Sequence, residues 1–225
     1  MRRNIKASVL TVLLLCAAVI IAACSANKVE SNDVEPNGFS NVDITADFTD
    51  PNFLAAVYEK IEKAAPAPIY STDVAEIQYL NVVGKRIKSL AGLEHFVSLK
   101  HLDCNNNQLS SLPELPSGLK YLFCNDNQLT TLPKPPSGLV FLFCSYNQLT
   151  TLPELPSDLT ILFCNDNQLS SLPELPSGLT DLYCSNNQLT TLPKLPFGLE
   201  GLDCSNNQIT TLPKLPPGLK RSIIT

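Results

Sequence analysis

The sequence has few of the side chains that carry out catalysis or bind polyanions. It contains no Trp, one Met and only two His, and charged residues make up 16% of the chain, whereas about a quarter is usual in soluble domains. His is the commonest general acid or base, but neither His95 nor His101 lies near a nucleophile motif. No C-x-x-C pair is present to indicate a zinc or redox site. We therefore predict a protein that is not an enzyme, that needs no cofactor or metal, and that carries both histidines on its surface.

The first 24 residues have the pattern of a targeting segment. Three basic residues precede an apolar run at residues 7–23, which is too short to span a bilayer comfortably as a mature helix. The run ends in Ile-Ala-Ala-Cys at Cys24. This ending resembles the bacterial lipobox, in which small residues precede a Cys that receives diacylglycerol before cleavage. The resemblance implies a signal peptide at 1–23 and lipidation of Cys24, and the alternative is an ordinary signal peptide followed by an unmodified Cys.

The charge of the remaining chain argues against nucleic acid as a partner. Cleavage before Cys24 removes three of the 16 basic residues and no acidic ones, which leaves 13 basic and 21 acidic residues and a net charge of −8. An acidic protein repels nucleic acid and anionic lipid head groups, so we expect membrane contact through the acyl group only. Residues 24–42 are rich in turn formers and predict a flexible tether. The expected location is the bacterial cell envelope, with the lipid anchor in the outer membrane or at the cell surface.

A 20-residue repeat dominates the rest of the chain. Its pattern is L-x-x-L-x-C-x-x-N-x-L-x-x-L-P-x-L-P-x-G, numbered here from the first Leu as positions 1 to 20, and such a period indicates a solenoid. Leu at position 4 and Cys at position 6 lie on one face of a short strand, so successive strands stack into a parallel sheet over an apolar interior. Pro at positions 15 and 18 removes two amide donors from each repeat and excludes a helix there.

The repeat pattern resembles the leucine-rich repeat, in particular the short repeats of bacterial surface proteins and secreted effectors. The resemblance implies a right-handed repeat solenoid with a parallel sheet on its concave face and an extended, polyproline-like convex face. Residues 77–98 fit a longer, 22-residue opening repeat. The leucine-rich repeat domain is therefore predicted to cover residues 77–225.

A short helical segment is predicted before the repeats. Asp50 is placed to cap a helix that has Pro51 at its first position, and apolar residues at a spacing of four predict one buried helical face within 50–60. A second short helix is predicted to begin at Ser71. Residues 43–76 resemble the N-terminal cap of bacterial leucine-rich repeat proteins, which shields the first core layer from water.

Position 9 of each 20-residue repeat is an asparagine, where the chain turns out of the strand, whereas the opening repeat has Lys85 there. Buried backbone groups need partners at such a turn, and an amide side chain offers both donors and acceptors. We predict a structural ladder; the alternative is calcium binding with the neighbouring Asp126 and Asp166, although no repeat supplies the clustered carboxylates of a calcium loop. The ladder consists of Asn107, Asn127, Asn147, Asn167, Asn187 and Asn207.

The cysteines at position 6 are predicted to be buried free thiols. Parallel strands lie about 4.8 Å apart and disulfides tolerate Cα separations of about 4.4–6.8 Å, so bridges between repeats are one alternative and a metal site is another. All six side chains point the same way into the core, where Cys behaves as a small hydrophobe. They are Cys104, Cys124, Cys144, Cys164, Cys184 and Cys204.

Large side chains at positions 3, 5 and 8 are predicted to form an exposed patch on the concave face. Positions 3 and 5 alternate with the inward residues and therefore point away from the core. A contiguous aromatic surface is typical of a binding site, whereas the alternative is that repeat duplication copied these rings and that they merely stack. The candidate ligand-binding residues are Tyr121, Phe123, Phe141, Phe143, Tyr146, Ile161, Phe163 and Tyr183.

Together these patterns predict a lipid-anchored, extracytoplasmic module that binds a protein on the aromatic concave face of its repeats. The expected partner is a surface protein of a host or of a neighbouring cell. The alternative function is a structural or self-associating envelope surface protein without a dedicated ligand, and concentration-dependent assembly is the observation that separates the two.

Overall fold

Residues 41–224 are described by a computed structural model. The predicted signal peptide, Cys24 and all but the end of the predicted tether lie outside these residues. Within 41–224, no helix combines the length and the apolar character that crossing a bilayer requires.

Helix α1 spans Pro51–Lys60 and begins where the sequence predicts. The first amides of a helix have no partner within the helix. One carboxylate oxygen of Asp50 accepts hydrogen bonds from the amides of Asn52 at 2.8 Å and Phe53 at 3.0 Å. Asp50 is therefore the N-cap of α1.

The second oxygen of the same carboxylate joins α1 to the opening repeat. It accepts hydrogen bonds from the amides of Lys88 at 2.7 Å and Ser89 at 3.2 Å. Burial acts to raise the pKa of Asp50, but the hydrogen bonds from four amides outweigh burial and lower this pKa. One ionised side chain thus satisfies donors in two parts of the chain that are 38 residues apart in sequence.

Three aromatic rings pack together where α1 meets the opening repeat. The ring centroids of Phe48 and Phe53 are 5.6 Å apart, and Phe96 of the opening repeat lies 6.4 Å from each of them. Gly92 has a φ of 98°, and a Cβ there would run into the Phe48 ring. The remaining helical elements are short: α2 spans Ser71–Ala75, and two 3-10 turns span Thr45–Asp47 and Leu93–His95.

Eight short strands form one parallel sheet in sequence order. Residues at the same repeat position pair directly, so that Leu102, Leu122 and Leu142 align across the sheet. This sheet confirms the predicted repeat solenoid. The strands are β1 (Tyr79–Asn81), β2 (His101–Asp103), β3 (Tyr121–Phe123), β4 (Phe141–Phe143), β5 (Ile161–Phe163), β6 (Asp181–Tyr183), β7 (Gly201–Asp203) and β8 (Arg221–Ile223).

The core runs along the sheet as a stack of identical layers. In the six 20-residue repeats, the leucines at positions 1 and 4 are at most 1% exposed. The return segments with their paired prolines contain neither helix nor strand, because each proline lacks the amide that either structure needs. Leucines at positions 14 and 17, such as Leu152 and Leu155, close the core on that side at 8–9% exposure.

The six repeat cysteines are buried free thiols. Burial raises the pKa of Cys144 to about 12 and also raises the pKa of the other five thiols. Because a thiolate is the nucleophile and the metal ligand, these cysteines are chemically inert in the folded array. The sheet brings their strands together but aims every thiol into the apolar interior.

Candidate functional site

The position 9 asparagines connect each repeat to the one before it. Asn127 donates through Nδ2 to the carbonyls of Cys104 at 3.0 Å and Cys124 at 3.3 Å, and its Oδ1 accepts from the amide of Leu109 at 3.0 Å. All six asparagines donate in this way to carbonyls of their own repeat and of the preceding one, and accept from an amide of the preceding repeat. Their side chains are therefore committed to the backbone.

Position 8 forms a second column, in which every residue has a left-handed backbone. The φ angles lie between 53° and 56° in all six repeats. Asn and Asp tolerate this conformation, whereas a bulky side chain there is an outlier. Five repeats carry Asn or Asp and the third carries Tyr146. The six residues are Asn106, Asp126, Tyr146, Asp166, Asn186 and Asn206.

Tyr146 is also exposed, with 57% of its surface accessible. The carboxylates of Asp126 and Asp166 occupy the same position in the two adjacent repeats. The negative charge of Asp166, partial burial and the charge of Asp126 raise the pKa of Tyr146. Burial and the charge of Asp166 likewise raise the pKa of Asp126. An accessible aromatic ring between two carboxylates therefore stands on this edge of the sheet.

The rings at position 5 form a continuous ladder. Phe143 stacks on Phe163 with centroids 4.4 Å apart and an interplanar angle of 11°. Phe123 packs edge-on against Phe143 at 4.7 Å, and Tyr183 packs against Phe163 at 4.4 Å. At position 3, the rings of Tyr121 and Phe141 are 5.0 Å apart.

The predicted exposure of this ladder is wrong. Phe143 is 2% exposed, because rings contact it from both neighbouring repeats and Phe141 lies 6.4 Å away in the same strand. Alternation along a strand decides which way a side chain points, but strands only about 4.8 Å apart let large rings cover one another. The buried members are Phe123, Phe143, Ile161, Phe163 and Tyr183. Tyr121 and Phe141 are half-buried, and only Tyr146 is exposed.

The predicted surface position of His101 is also wrong. Its ring lies 4.6 Å from that of Tyr79 and stacks 4.9 Å from that of Phe123, and it is 7% exposed. Burial lowers the pKa of His101 to about 4, so the ring is neutral at pH 7 and extends the ladder. His95 is partly exposed and its Nε2 lies 2.8 Å from a carboxylate oxygen of Asp47.

The far end of the concave face carries a partly buried ion pair, between half-buried Arg221 and buried Asp181, that the sequence did not predict. Arg221 in β8 donates to Asp181 in β6 at 2.6 Å, across the intervening strand. Gly201 in β7 makes this possible, because a Cβ there would collide with the Asp181 carboxylate. The sequence signal for this contact was Gly201 itself, because the other 20-residue repeats carry larger side chains at position 3.

Comparison with known proteins places this architecture in a family. The family model described as Leucine Rich repeats (2 copies) matches residues 76–117 and 177–217. The structure of a Shigella effector LRR domain is 31% identical with a TM-score of 0.58; the match covers 72% of this chain and 77% of that one. The chain therefore belongs to the leucine-rich repeat proteins. No curated protein matches it.

Two further structures extend the comparison. YopM, a leucine-rich effector protein from Yersinia pestis, is 40% identical with a TM-score of 0.54, over 56% of this chain and 37% of that chain. The functional domain of InlJ from Listeria monocytogenes, which includes a cysteine ladder, is 25% identical with a TM-score of 0.51, over 76% of this chain and 49% of that chain. The chain spans about a third of the length of the YopM chains that it matches. Proteins of this fold generally mediate protein–protein interaction.

Proposed function

We propose that the chain is a lipid-anchored module of the bacterial cell envelope that binds a protein partner on its concave face, with Tyr146 at the centre of the contact. The observation that carries this proposal is the combination at Tyr146 of high exposure and a left-handed backbone. A strained residue persists only where the surroundings hold it, and such residues concentrate at functional sites.

The buried ladder supports Tyr146 as a rigid platform. Tyr121 and Phe141 expose part of their rings on β3 and β4, the strands that precede this position, and the position 5 rings are immobilised by their neighbours. Binding to an ordered surface loses less conformational entropy than binding to a mobile one. The partner would therefore contact three aromatic residues rather than the eight that the sequence predicts.

The charges beside Tyr146 favour a basic group on the partner. Asp126 and Asp166 flank the ring, and a Lys or Arg side chain over an aromatic face gains a cation–π attraction in addition to the charge pair. Ions screen such contacts over about 8 Å at physiological ionic strength. Binding should accordingly weaken as the salt concentration rises.

One substitution tests this site without disturbing the fold. In Tyr146→Asn, the ring is replaced by the residue that three other repeats carry at position 8. The biotinylated chain is used to capture proteins from envelope extracts of neighbouring cells and of host cells, and the captured proteins are quantified by mass spectrometry. A partner should be retained by the wild type and lost about tenfold or more with Tyr146→Asn, since a central aromatic anchor contributes about 2 kcal/mol.

Lys134→Ala is the matched control, because Lys134 is exposed on a return segment away from the concave face. It should capture the partner as well as the wild type does. Equal capture by Tyr146→Asn and the wild type would contradict the concave-face site and favour the alternative, an envelope protein without a dedicated ligand. The stacked ladder is the feature that suits this alternative, because it stabilises the array with no ligand present.

The lipid anchor rests on the sequence at Cys24 and has its own test. Cys24→Ala removes the thiol that the lipobox offers for acylation, so the variant should carry no lipid and keep its signal peptide. Mass spectrometry of the N-terminal peptide measures both effects. A variant that still carries lipid would refute the anchor and leave the concave-face site untouched.

A further inference from the structure

The return segments of the last four repeats enclose a groove of about 1310 Å³. Its lining includes Leu155, Leu175, Leu195 and Leu215 at position 17, together with neighbouring prolines. The first three leucines are 6–8% exposed, whereas Leu215 is 41% exposed. The groove therefore offers an apolar surface on the return segments, away from the sheet.

Phe197 stands in this groove and is 81% exposed. Four of the other repeats carry Ser at this position 19 and the last carries Pro217. The exposed ring contributes little to the core of the fold, and together with the leucines and prolines that line the groove it forms a contiguous apolar surface of the kind that marks contact sites.

Four charged residues on the groove follow one another in an ordered pattern. Position 16 is Glu154, Glu174, Lys194 and Lys214 in consecutive repeats, and all four line the groove. Each is exposed, and none forms an ion pair within residues 41–224. One half of the groove is thus acidic and the other half is basic.

We propose that this groove binds a second copy of the chain in an antiparallel, two-fold symmetric dimer. A two-fold axis between the fourth and fifth repeats places Glu174 opposite Lys194 of the second copy, and Glu154 opposite Lys214 of the second copy. Symmetry repeats both pairs, which makes four ion pairs from four residues of each chain. A parallel arrangement would instead set glutamate against glutamate and lysine against lysine, which is unfavourable.

The same axis explains the position of Phe197. Phe197 belongs to the fifth repeat, next to the axis, so its two copies lie near the centre of the interface. Each ring faces the fourth repeat of the other chain, which carries Ser177 at the same position. A central aromatic residue surrounded by charged groups is the usual arrangement of an interface hot spot. The pairing closes at two copies and leaves the concave face open, so a dimer that stops at two copies is compatible with the proposed protein partner, whereas the self-associating envelope alternative requires assembly beyond two copies.

Charge reversal provides the decisive experiment. The full chain is purified in a nonionic detergent, and its mass is measured by sedimentation equilibrium at matched solvent density over a range of concentrations. We expect a monomer–dimer equilibrium. Lys194→Glu should weaken dimerisation about tenfold or more, because symmetry introduces the glutamate repulsion twice. The double variant Glu174→Lys with Lys194→Glu should restore the wild-type dissociation constant, because it exchanges both partners of the pair.

Two further measurements keep the result unambiguous. Phe197→Ser introduces the residue of the neighbouring repeats and should weaken the dimer about thirtyfold, whereas Lys134→Glu, outside the groove, should leave it unchanged. Carbodiimide cross-linking of mixed isotope-labelled and unlabelled chains should join Glu174 of one copy to Lys194 of the other. Three results would overturn the proposal: a monomer at all concentrations, an assembly of more than two copies, or a double variant that does not restore the dimer. The groove would then bind a different partner.

Discussion

The N-terminal cap and the repeat array are stabilised in different ways. In the cap, each contact is made once: Asp50 accepts four amides, and the Phe48 ring packs against Gly92. In the array, one set of contacts recurs every 20 residues, as the Asn127 bonds illustrate. A substitution in the array is therefore felt mainly by adjacent repeats, whereas one in the cap removes a contact that nothing else replaces.

The largest effect is expected for Phe143→Ala, which interrupts the array at the centre of its ladder. Phe143 is 2% exposed and contacts rings on both sides. Truncating such a residue costs about 3–4 kcal/mol of unfolding free energy, which a urea titration measures. Phe141→Ala, at a half-buried site in the same strand, should cost less. Equal and small losses for the two variants would show that the ladder is a surface feature.

The cap should respond nearly as strongly to Asp50→Ala. Loss of the N-cap and of the acceptor for Lys88 and Ser89 should cost about 2–3 kcal/mol. Asp43→Ala is a suitable control, because within residues 41–224 this exposed carboxylate is hydrogen-bonded to Thr45 alone. A loss no greater than that of the control would mean that the cap is not held by this side chain.

The pH dependence of this effect sharpens the comparison. The folded pKa of Asp50 is lowered, so its contribution is fully present above the unfolded value of about 3.9 and is lost as the pH falls through the folded pKa. The difference in unfolding free energy between wild type and Asp50→Ala should therefore shrink in acid. A difference that stays constant from pH 7 to pH 2 would contradict the lowered pKa.

Gly201→Ala tests a contact in the array that does not recur from repeat to repeat. The added Cβ would displace Arg221 from Asp181 and leave a buried carboxylate without its partner, at a cost of about 1–2 kcal/mol. Gly198→Ala is the matched control, because a Cβ there meets nothing within 4 Å. If both variants unfold at the same urea concentration, the ion pair contributes nothing to stability.

The smallest effect, and one of opposite sign, is expected for Tyr146→Asn. Replacing a bulky side chain at a φ of 56° with one that tolerates this conformation should stabilise the fold by about 0.5–1 kcal/mol. The reverse change at an equivalent position, Asn106→Tyr, should destabilise it by a similar amount. Destabilisation by Tyr146→Asn would show that the ring supports the array rather than a partner.

Much of the architecture was predictable because its determinants are local or periodic. The spacing of Leu and Cys predicts the parallel sheet, and the two prolines of each repeat exclude a helix from the return segments. Asp50 before Pro51 predicts the start of α1. A partner 38 residues away, such as the Lys88 amide, leaves no trace in such patterns.

The binding surface was predicted less well. Alternation along β4 correctly directs Phe143 away from the leucines, and the same reasoning wrongly assigns it to solvent. The column of left-handed residues at position 8 was visible as repeated Asn and Asp, and Tyr146 was its exception. Exposure depends on the size of the neighbours on both sides, which one repeat by itself does not contain.

The sequence by itself determined the period, the strand direction and the composition of the core, because a 20-residue repeat imposes the same backbone on every turn. Only the tertiary structure decided which aromatic side chains remain accessible, because strands about 4.8 Å apart bring the rings into mutual contact and bury those at position 5. The same stacking aligned four charges along one groove and let Arg221 reach Asp181 across a glycine. Those relations exist only once the repeats lie side by side.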